Sequence, residues 1–524
     1  MAEAETSSFS SSSSSSSTLR MSKTKTHRTT PWFEEINGDV LQNILERLPA
    51  VWFASATCVS KQWNRVCNRI LSRPKLASAL SLNPSLDIAV KEVFDKVLSE
   101  PIRPHFAIAN LGSGFSLIDA FRLITKRLGS STPLIVSTAS GLIGREALTN
   151  EFREVKPSSE ADDYVEDIDT GIVFTLGYVP GLKVDAIPLL RTAKEPQEVM
   201  TDKFVKDIKD YTASVSGCTS PVGIIMFGDP RVDMKPIIDV LDYAMPKETV
   251  IVGDERGNFR YRSGNETRNV SGSTKSDAIA LTFARDKDKS SGIGDIQFHV
   301  ALSNGVSAVG PIYKAASVRV NKPDCTTWLT AKREGDMDIL DGQRILDDIY
   351  DEMENHTDES PDLYIGVTKR RKYCIESEKM RLITSLALHG VIEGDEEYLY
   401  VNGVNIKTGD YFQFYHSDSN FALSSSSDAY VNLKSLKKEV FGGLIFACCG
   451  RGESFFGRCN VDSFPLLENF PRVPLAGIFC CGEIGRGPSS LIGESNKEKS
   501  AHCCMHVFST VYLAMSYTSA CPEC

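Results

Sequence analysis

Between residues 36 and 48 apolar side chains recur every three or four positions, at Ile36, Val40, Leu41, Ile44, Leu45 and Leu48. That spacing predicts one amphipathic helix. Asn37 or Asp39 can cap its start, and Pro49 ends it because proline lacks a backbone donor. A second apolar segment follows over Val51–Val59, and then Ser60-Lys61-Gln62-Trp63-Asn64. A third helix is expected to run to about Leu71 and stop before Pro74. Three short helices enclose too small a core to be very stable alone, so such a module often completes itself on a partner.

Further along, apolar runs at Phe106–Leu111, Pro133–Val136, Gly171–Tyr178, Val222–Phe227, Thr249–Val252, Gln297–Leu302 and Leu444–Cys449 read as strands. Helical patterns at Leu117–Leu128 and Pro236–Ala244 are interleaved with them. The expected fold class is α+β, a small three-helix module followed by a large two-part mixed α/β body. No run of L-x-x-L-x-L units occurs, so a leucine-rich-repeat solenoid is not supported. Residues 1–31 are rich in serine and read as a disordered tail. Their basic character also suits an organellar transit peptide, against which Glu3 and Glu5 argue. Residues 151–170 carry eight acidic and two basic side chains and read as a solvated loop. Asp347–Asp362, also acidic, reads as a surface excursion.

A chain of 524 residues is long enough for about three folded units. Its net charge of −10 argues against nucleic-acid binding through bulk electrostatics. No apolar run approaches the roughly 18 residues of a membrane span. Fourteen cysteines scattered through so long a chain, with no secretory leader pattern, indicate a reduced compartment, cytosol or nucleus.

The string from Ile36 to Pro49, followed by Cys58-Val-Ser-Lys-Gln-Trp63, resembles an F-box. It departs from that family's pattern in having Ile36-Asn37 where Leu-Pro is usual. The resemblance implies docking on a Skp1-like adaptor and, through it, a cullin and a RING subunit. Ile36, Val40, Leu41, Ile44, Leu45, Leu48, Val59 and Trp63 would form the adaptor face or the small core behind it. The competing reading of these positions is a helical hairpin packed on the rest of the chain.

The large body has glycine-rich turns at strand ends, where glycine permits positive φ or close backbone approach. They are Ser137–Gly144, Asn304–Pro311, Phe446–Gly452 and Ala476–Gly487. The segments Cys449-Gly-Arg-Gly452, Pro474–Phe479 with Gly482-Glu-Ile-Gly485, and Val309-Gly-Pro311 resemble the FIST family (F-box and intracellular signal transduction). The resemblance implies an N-terminal FIST half over 103–310, a C-terminal half over 311–515, and a short cysteine-containing tail over 516–524. FIST domains are regarded as sensory modules for small ligands, and behind an F-box such a body would hold a protein substrate. Candidate loop residues are Cys449, Gly450, Arg451, Gly452, Cys481, Gly482, Glu483 and Arg486.

No phosphate loop, H-E-x-x-H or G-x-S-x-G motif is present, so no cofactor is expected and ubiquitin transfer would belong to partner subunits. The doublets Cys448-Cys449, Cys480-Cys481 and Cys503-Cys504, with Cys521-Pro-Glu-Cys524, leave three readings: inert buried cysteine, a thiol activated by Arg451 or Arg486, or structural zinc. In a strand, adjacent cysteines point to opposite faces, so each doublet offers one thiol to a shared site. The functional expectation is a substrate receptor of a ubiquitin ligase. The rival is a small-molecule or redox sensor with no ligase role.

Overall fold

A computed structural model describes residues 37–156, 169–191, 195–265, 276–353, 361–373, 381–486 and 505–520. The serine-rich segment, Ile36, Cys503-Cys504 and Cys521–Cys524 lie outside the described residues.

Three helices open the described chain: α1 (Gly38–Leu45), α2 (Ala50–Ala56) and α3 (Lys61–Ile70). The Asn37 side chain accepts from the Asp39 amide at 3.1 Å, and Ser60 Oγ accepts from the Trp63 amide at 3.2 Å. Each cap satisfies one backbone donor that a helix start leaves open. Leu41, Leu45, Phe53, Ala56, Val66 and Cys67 form the buried centre, with Leu48, Trp63, Ile70 and Leu71 packed at its edge. The module is also tied to the body: Tyr178 donates to the Leu71 carbonyl at 2.5 Å and the Ala50 amide to the Leu98 carbonyl at 2.9 Å. Ala50 and Leu71 also pack against the body's core. The small core is thereby completed within the chain.

The body holds three open sheets and a barrel. The first sheet runs Lys75–Ser81, Ile172–Tyr178, Phe106–Leu111, Leu134–Thr138, Phe259–Arg262. The second runs Met505–His506, Glu483–Arg486, Val250–Asp254, Gly223–Gly228, Ser276–Arg285, Leu182–Leu190. The third runs Asp295–Ser303, Thr510–Thr518, Glu439–Cys448, Leu475–Cys480, Gly141–Arg145, Phe152–Val155. One face of each lines a common core in which Phe106, Phe283 and Leu444 belong to different sheets. The opposite faces bury against helices, as Leu86–Val97, Gln197–Ser216 and Ser419–Lys434 do. Neighbouring residues divide between the two faces: Leu444 enters the common core and Ile445 packs outward. Burial on both faces explains why these strands read as continuous apolar runs.

Each open sheet contains one parallel pair: Phe106–Leu111 with Leu134–Thr138, Gly223–Gly228 with Val250–Asp254, and Glu439–Cys448 with Leu475–Cys480. A helix lies in each crossover, as parallel strands require a long return connection. The barrel runs Val306–Asn321, Thr326–Arg333, Leu399–Asn402, Arg381–Gly394, Leu363–Tyr373, Tyr411–Ser417. Its filling is Tyr313, Phe412 and Phe414 with Ile345 and Ile349 of the helix Gly342–Met353.

Several sequence readings change. The boundary placed at 310 falls inside the strand Val306–Asn321, and strands from both halves share the second and third sheets. Residues 516–518 continue the strand Thr510–Thr518, so they belong to a sheet and not to a tail. Phe152–Val155 is an edge strand, where an acidic loop was expected. Val309-Gly-Pro311 is a bulge with Gly310 at φ 69°, and the register shifts between Val309 and Ile312. A bulge bends a strand, which helps a sheet close into a barrel. No leucine-rich-repeat solenoid occurs among the described residues.

Candidate functional site

Two regions stand out. The first is the outer surface of the helical module. Of nineteen exposed large apolar side chains among the described residues, five fall between positions 40 and 59. They are Val40 at 53% exposure, Ile44 at 47%, Val51 and Trp52 at 67%, and Val59 at 60%. Val40 and Ile44 are one turn apart on α1 and share a face. Val51 and Trp52 stand in the first turn of α2, and Val59 in the turn before α3. Such density of exposed apolar surface is characteristic of a binding face. The structure therefore divides the expected adaptor residues. Val40, Ile44 and Val59 face solvent, Leu41 and Leu45 are fully buried, and Leu48 and Trp63 are half-buried supports. Val51 and Trp52 were not among the expected adaptor residues, although a tryptophan three positions after the helix-ending Pro49 was available as a signal.

The second region is a cleft of about 440 Å³ lined by Ser113, Thr138, Ser140, Asp169, Asp254, Arg256 and the Cys480-Cys481 doublet. Ser113 follows the strand Phe106–Leu111, Thr138 ends Leu134–Thr138, Asp254 ends Val250–Asp254 and Cys480 ends Leu475–Cys480. The carboxyl ends of strands from all three parallel pairs thus converge on one opening. In open α/β sheets that is the place where ligands bind. Gly482, at φ 114°, makes the turn beneath it; a Cβ there would lie 2.2 Å from Glu255 Oε2.

Asp254 in the cleft wall and Glu255 next to it are buried acids. Burial pushes the Asp254 and Glu255 carboxyls up to about 7. Two bonds hold the turn: Asp254 Oδ1 accepts from the Arg256 amide at 3.0 Å, and the Glu255 amide donates to the Gly482 carbonyl at 2.9 Å. Raised folded-state values mean that the folded chain binds more protons than the unfolded one. Stability from these groups is fully present below their ordinary range near 4 and is lost as pH rises through 7. Asp254→Asn is expected to flatten the fall in thermal midpoint between about pH 4 and 7, and to raise the midpoint at pH 7.5. Parallel melting curves of wild type and variant across that range check this, and identical slopes would refute it.

The candidate loop residues separate by role. Cys481 lines the cleft, and its sulfur lies 3.2 Å from that of Cys449. Cys448 and Cys480 point inward and are buried. Arg451 contacts no solvent: its Nε donates to Asp462 Oδ1 at 2.7 Å and its Nη1 to the Phe508 and Ser303 carbonyls at 2.9 and 3.2 Å. Gly450 and Gly452 flank this arginine, and Gly450 packs on the Phe508 ring. Arg486 is likewise a strut, paired with Asp242 at 2.9 Å and donating to the Met245 and Pro246 carbonyls. Glu483 is buried and accepts from the Ser509 amide, with its carboxyl pushed well up by burial. Neither arginine is free to present a ligand, contrary to the sequence reading. Among the described residues no group of three or more histidine, cysteine or acidic side chains is placed to hold a metal ion.

The FIST C domain family matches residues 379–486. An F-box/LRR-repeat protein of Arabidopsis thaliana is 48% identical over 498 residues, spanning 92% of this chain and 93% of that protein. The chain belongs to the family of that F-box protein. Two uncharacterized proteins of Mycobacterium tuberculosis share 46% identity over 44 residues, 8% of this chain and 12% of theirs. In this F-box family member the FIST C match takes in the parallel pair Glu439–Cys448 and Leu475–Cys480, and so the cysteine-bearing wall of the cleft. The repeat in the relative's name has no counterpart among the described residues, which form sheets and a barrel.

Proposed function

We propose that this chain is the substrate receptor of a cullin-type ubiquitin ligase, docking on a Skp1-like adaptor through Val40, Ile44, Val51, Trp52 and Val59. The observation that carries the proposal is the concentration of exposed apolar side chains on a small helical module in a chain so similar to an F-box protein. The buried set Leu41, Leu45, Phe53 and Val66 holds that face in shape. The body behind it would hold the protein substrate near a charged transfer enzyme, raising its effective concentration there. Cullin and RING subunits would then follow through the adaptor, with catalysis on those partners and none on this chain. Cytosol or nucleus suits the free cysteines.

A second reading has one observation in its favour, the polar cleft where three sets of strand ends meet. It makes the chain a small-molecule sensor with no ligase role. Affinity purification of wild type beside Val40→Asp/Ile44→Asp, with the proteasome inhibited, separates the two readings. The receptor proposal expects adaptor, cullin and RING subunits to vanish together from the variant, while proteins held by the body remain. No adaptor recovered with wild type would leave the sensor reading standing, and equal recovery from both would overturn the docking face.

A further inference from the structure

The strands Glu439–Cys448 and Leu475–Cys480 run parallel, and Cys448 opposite Cys480 is the last pair in register. The next residue on each side is Cys449 and Cys481, and the Cys449 amide donates to the Cys480 carbonyl at 2.7 Å. The pleat turns the first pair into the core and the second pair outward. Neighbouring strands place opposed Cα atoms about 4.8 Å apart, inside the range that a disulfide spans. The two outward sulfurs lie 3.2 Å apart, with Cys481 donating its proton toward Cys449. Cys481 is exposed and Cys449 partly so. Cys481 also sits in the cleft wall, 3.3 Å from Ser140 Oγ.

We infer that Cys449 and Cys481 are a redox pair that closes to a disulfide across the ends of these two strands, at the rim of the cleft. The oxidant is a hydroperoxide. Cys449, the hydrogen-bond acceptor of the pair, attacks one peroxide oxygen as thiolate. The O–O bond breaks, an alcohol or water leaves, and Cys449 becomes a sulfenic acid. The Cys481 thiolate then attacks that sulfur, the S–S bond forms and water leaves. In total two thiols lose two electrons and two protons, and one peroxide is reduced to water and an alcohol, or to two waters when the peroxide is hydrogen peroxide. Hydrogen bonds among Cys448, Cys449 and Cys481, with burial behind them, hold both thiols above the usual range, Cys449 at about 11. Thiolate is therefore scarce at neutral pH, and closure takes place slowly under sustained oxidant and not in a brief pulse. Closure withdraws the Cys481 thiol from Ser140 and joins the two strand ends, so the cleft rim differs between the two forms.

The test uses the full chain, treated for hours with hydrogen peroxide, alkylated and digested with trypsin. The expected product links the peptide 439–451 to the peptide 473–486 and disappears after treatment with a dithiol reductant. Each peptide holds two cysteines, so single variants assign the bond. Cys449→Ser and Cys481→Ser should each abolish the link, while Cys448→Ser should retain it. Equilibration against oxidised and reduced dithiothreitol should yield the same link without peroxide. Two results would overturn the inference. One is oxidation of the exposed Cys58 and Cys218 while both peptides stay fully alkylated. The other is a link that persists in Cys449→Ser. Neither result bears on adaptor docking, which involves other residues.

Discussion

Arg451→Ala should destabilise the folded chain by roughly 3–5 kcal/mol, the usual effect of breaking a buried ion pair from one side. Arg451 and Asp462 are both fully buried, and their contact is 2.7 Å. The guanidinium also donates to the Ser303 carbonyl and hydroxyl and to the Phe508 carbonyl, and it lies 5.0 Å from the Phe456 ring centre. Removing it leaves Asp462 charged in a site with no solvent and orphans two carbonyls. Glu154, already pushed up to about 7 by burial and by Asp462, would lose its nearby cation. Against a typical total of about 5–15 kcal/mol the loss is severe, and in a chain of this length it corresponds to a midpoint fall of roughly 3–6 °C. Arg451→Lys keeps the charge without the fork of donors and should fall between wild type and alanine. Arg451→Met with Asp462→Leu should recover much of the loss, because no lone charge stays buried. A midpoint for Arg451→Ala within about 0.5 °C of wild type, with ~0.5 kcal/mol or less lost, would contradict this role.

That arginine also marks how far the sequence could be read. Its Gly-Arg-Gly setting suggested a ligand loop, but its partners come from Ser303, Asp462 and Phe508, and only the assembled sheets bring these together. The strands buried on both faces were legible, because such strands must be apolar at every position. The helical module was legible for the same kind of reason, a stripe at helical spacing ended by Pro49. The sorting within that stripe was not. Val40 with Ile44 and Leu41 with Leu45 form two adjacent rows on α1, each at a spacing of four, and spacing alone does not say which row faces inward. The cleft was partly legible in its glycine turns. Its assembly from Ser113, Thr138, Asp254 and Cys481 depends on strand order across separate sheets, which no local pattern encodes. Likewise the Cys449–Cys481 approach follows from the register of a parallel pair whose members are joined by a long crossover.

The second large effect concerns the exposed row. Val40→Asp with Ile44→Asp should weaken adaptor binding at least 100-fold. Each removed side chain forfeits roughly 1.5–3 kcal/mol of apolar burial in a filled interface, and each new carboxylate is desolvated without a partner. Trp52→Ala should weaken binding by a similar order, since large aromatics dominate such contacts. Because all three side chains face solvent, the thermal midpoint should hardly move. Leu45→Asp supplies the contrast: Leu45 is fully buried, so that change should lower the midpoint and reduce binding only through loss of folded module.

Titration of purified full-length chain with a purified Skp1-like adaptor, by calorimetry, tests the adaptor-docked receptor most directly. Saturable one-to-one binding is expected of wild type, and a loss of at least about 100-fold, roughly 2.7 kcal/mol, of Val40→Asp/Ile44→Asp at an unchanged thermal midpoint. Wild-type chain that binds no adaptor, or a variant that binds as tightly as wild type, would contradict it.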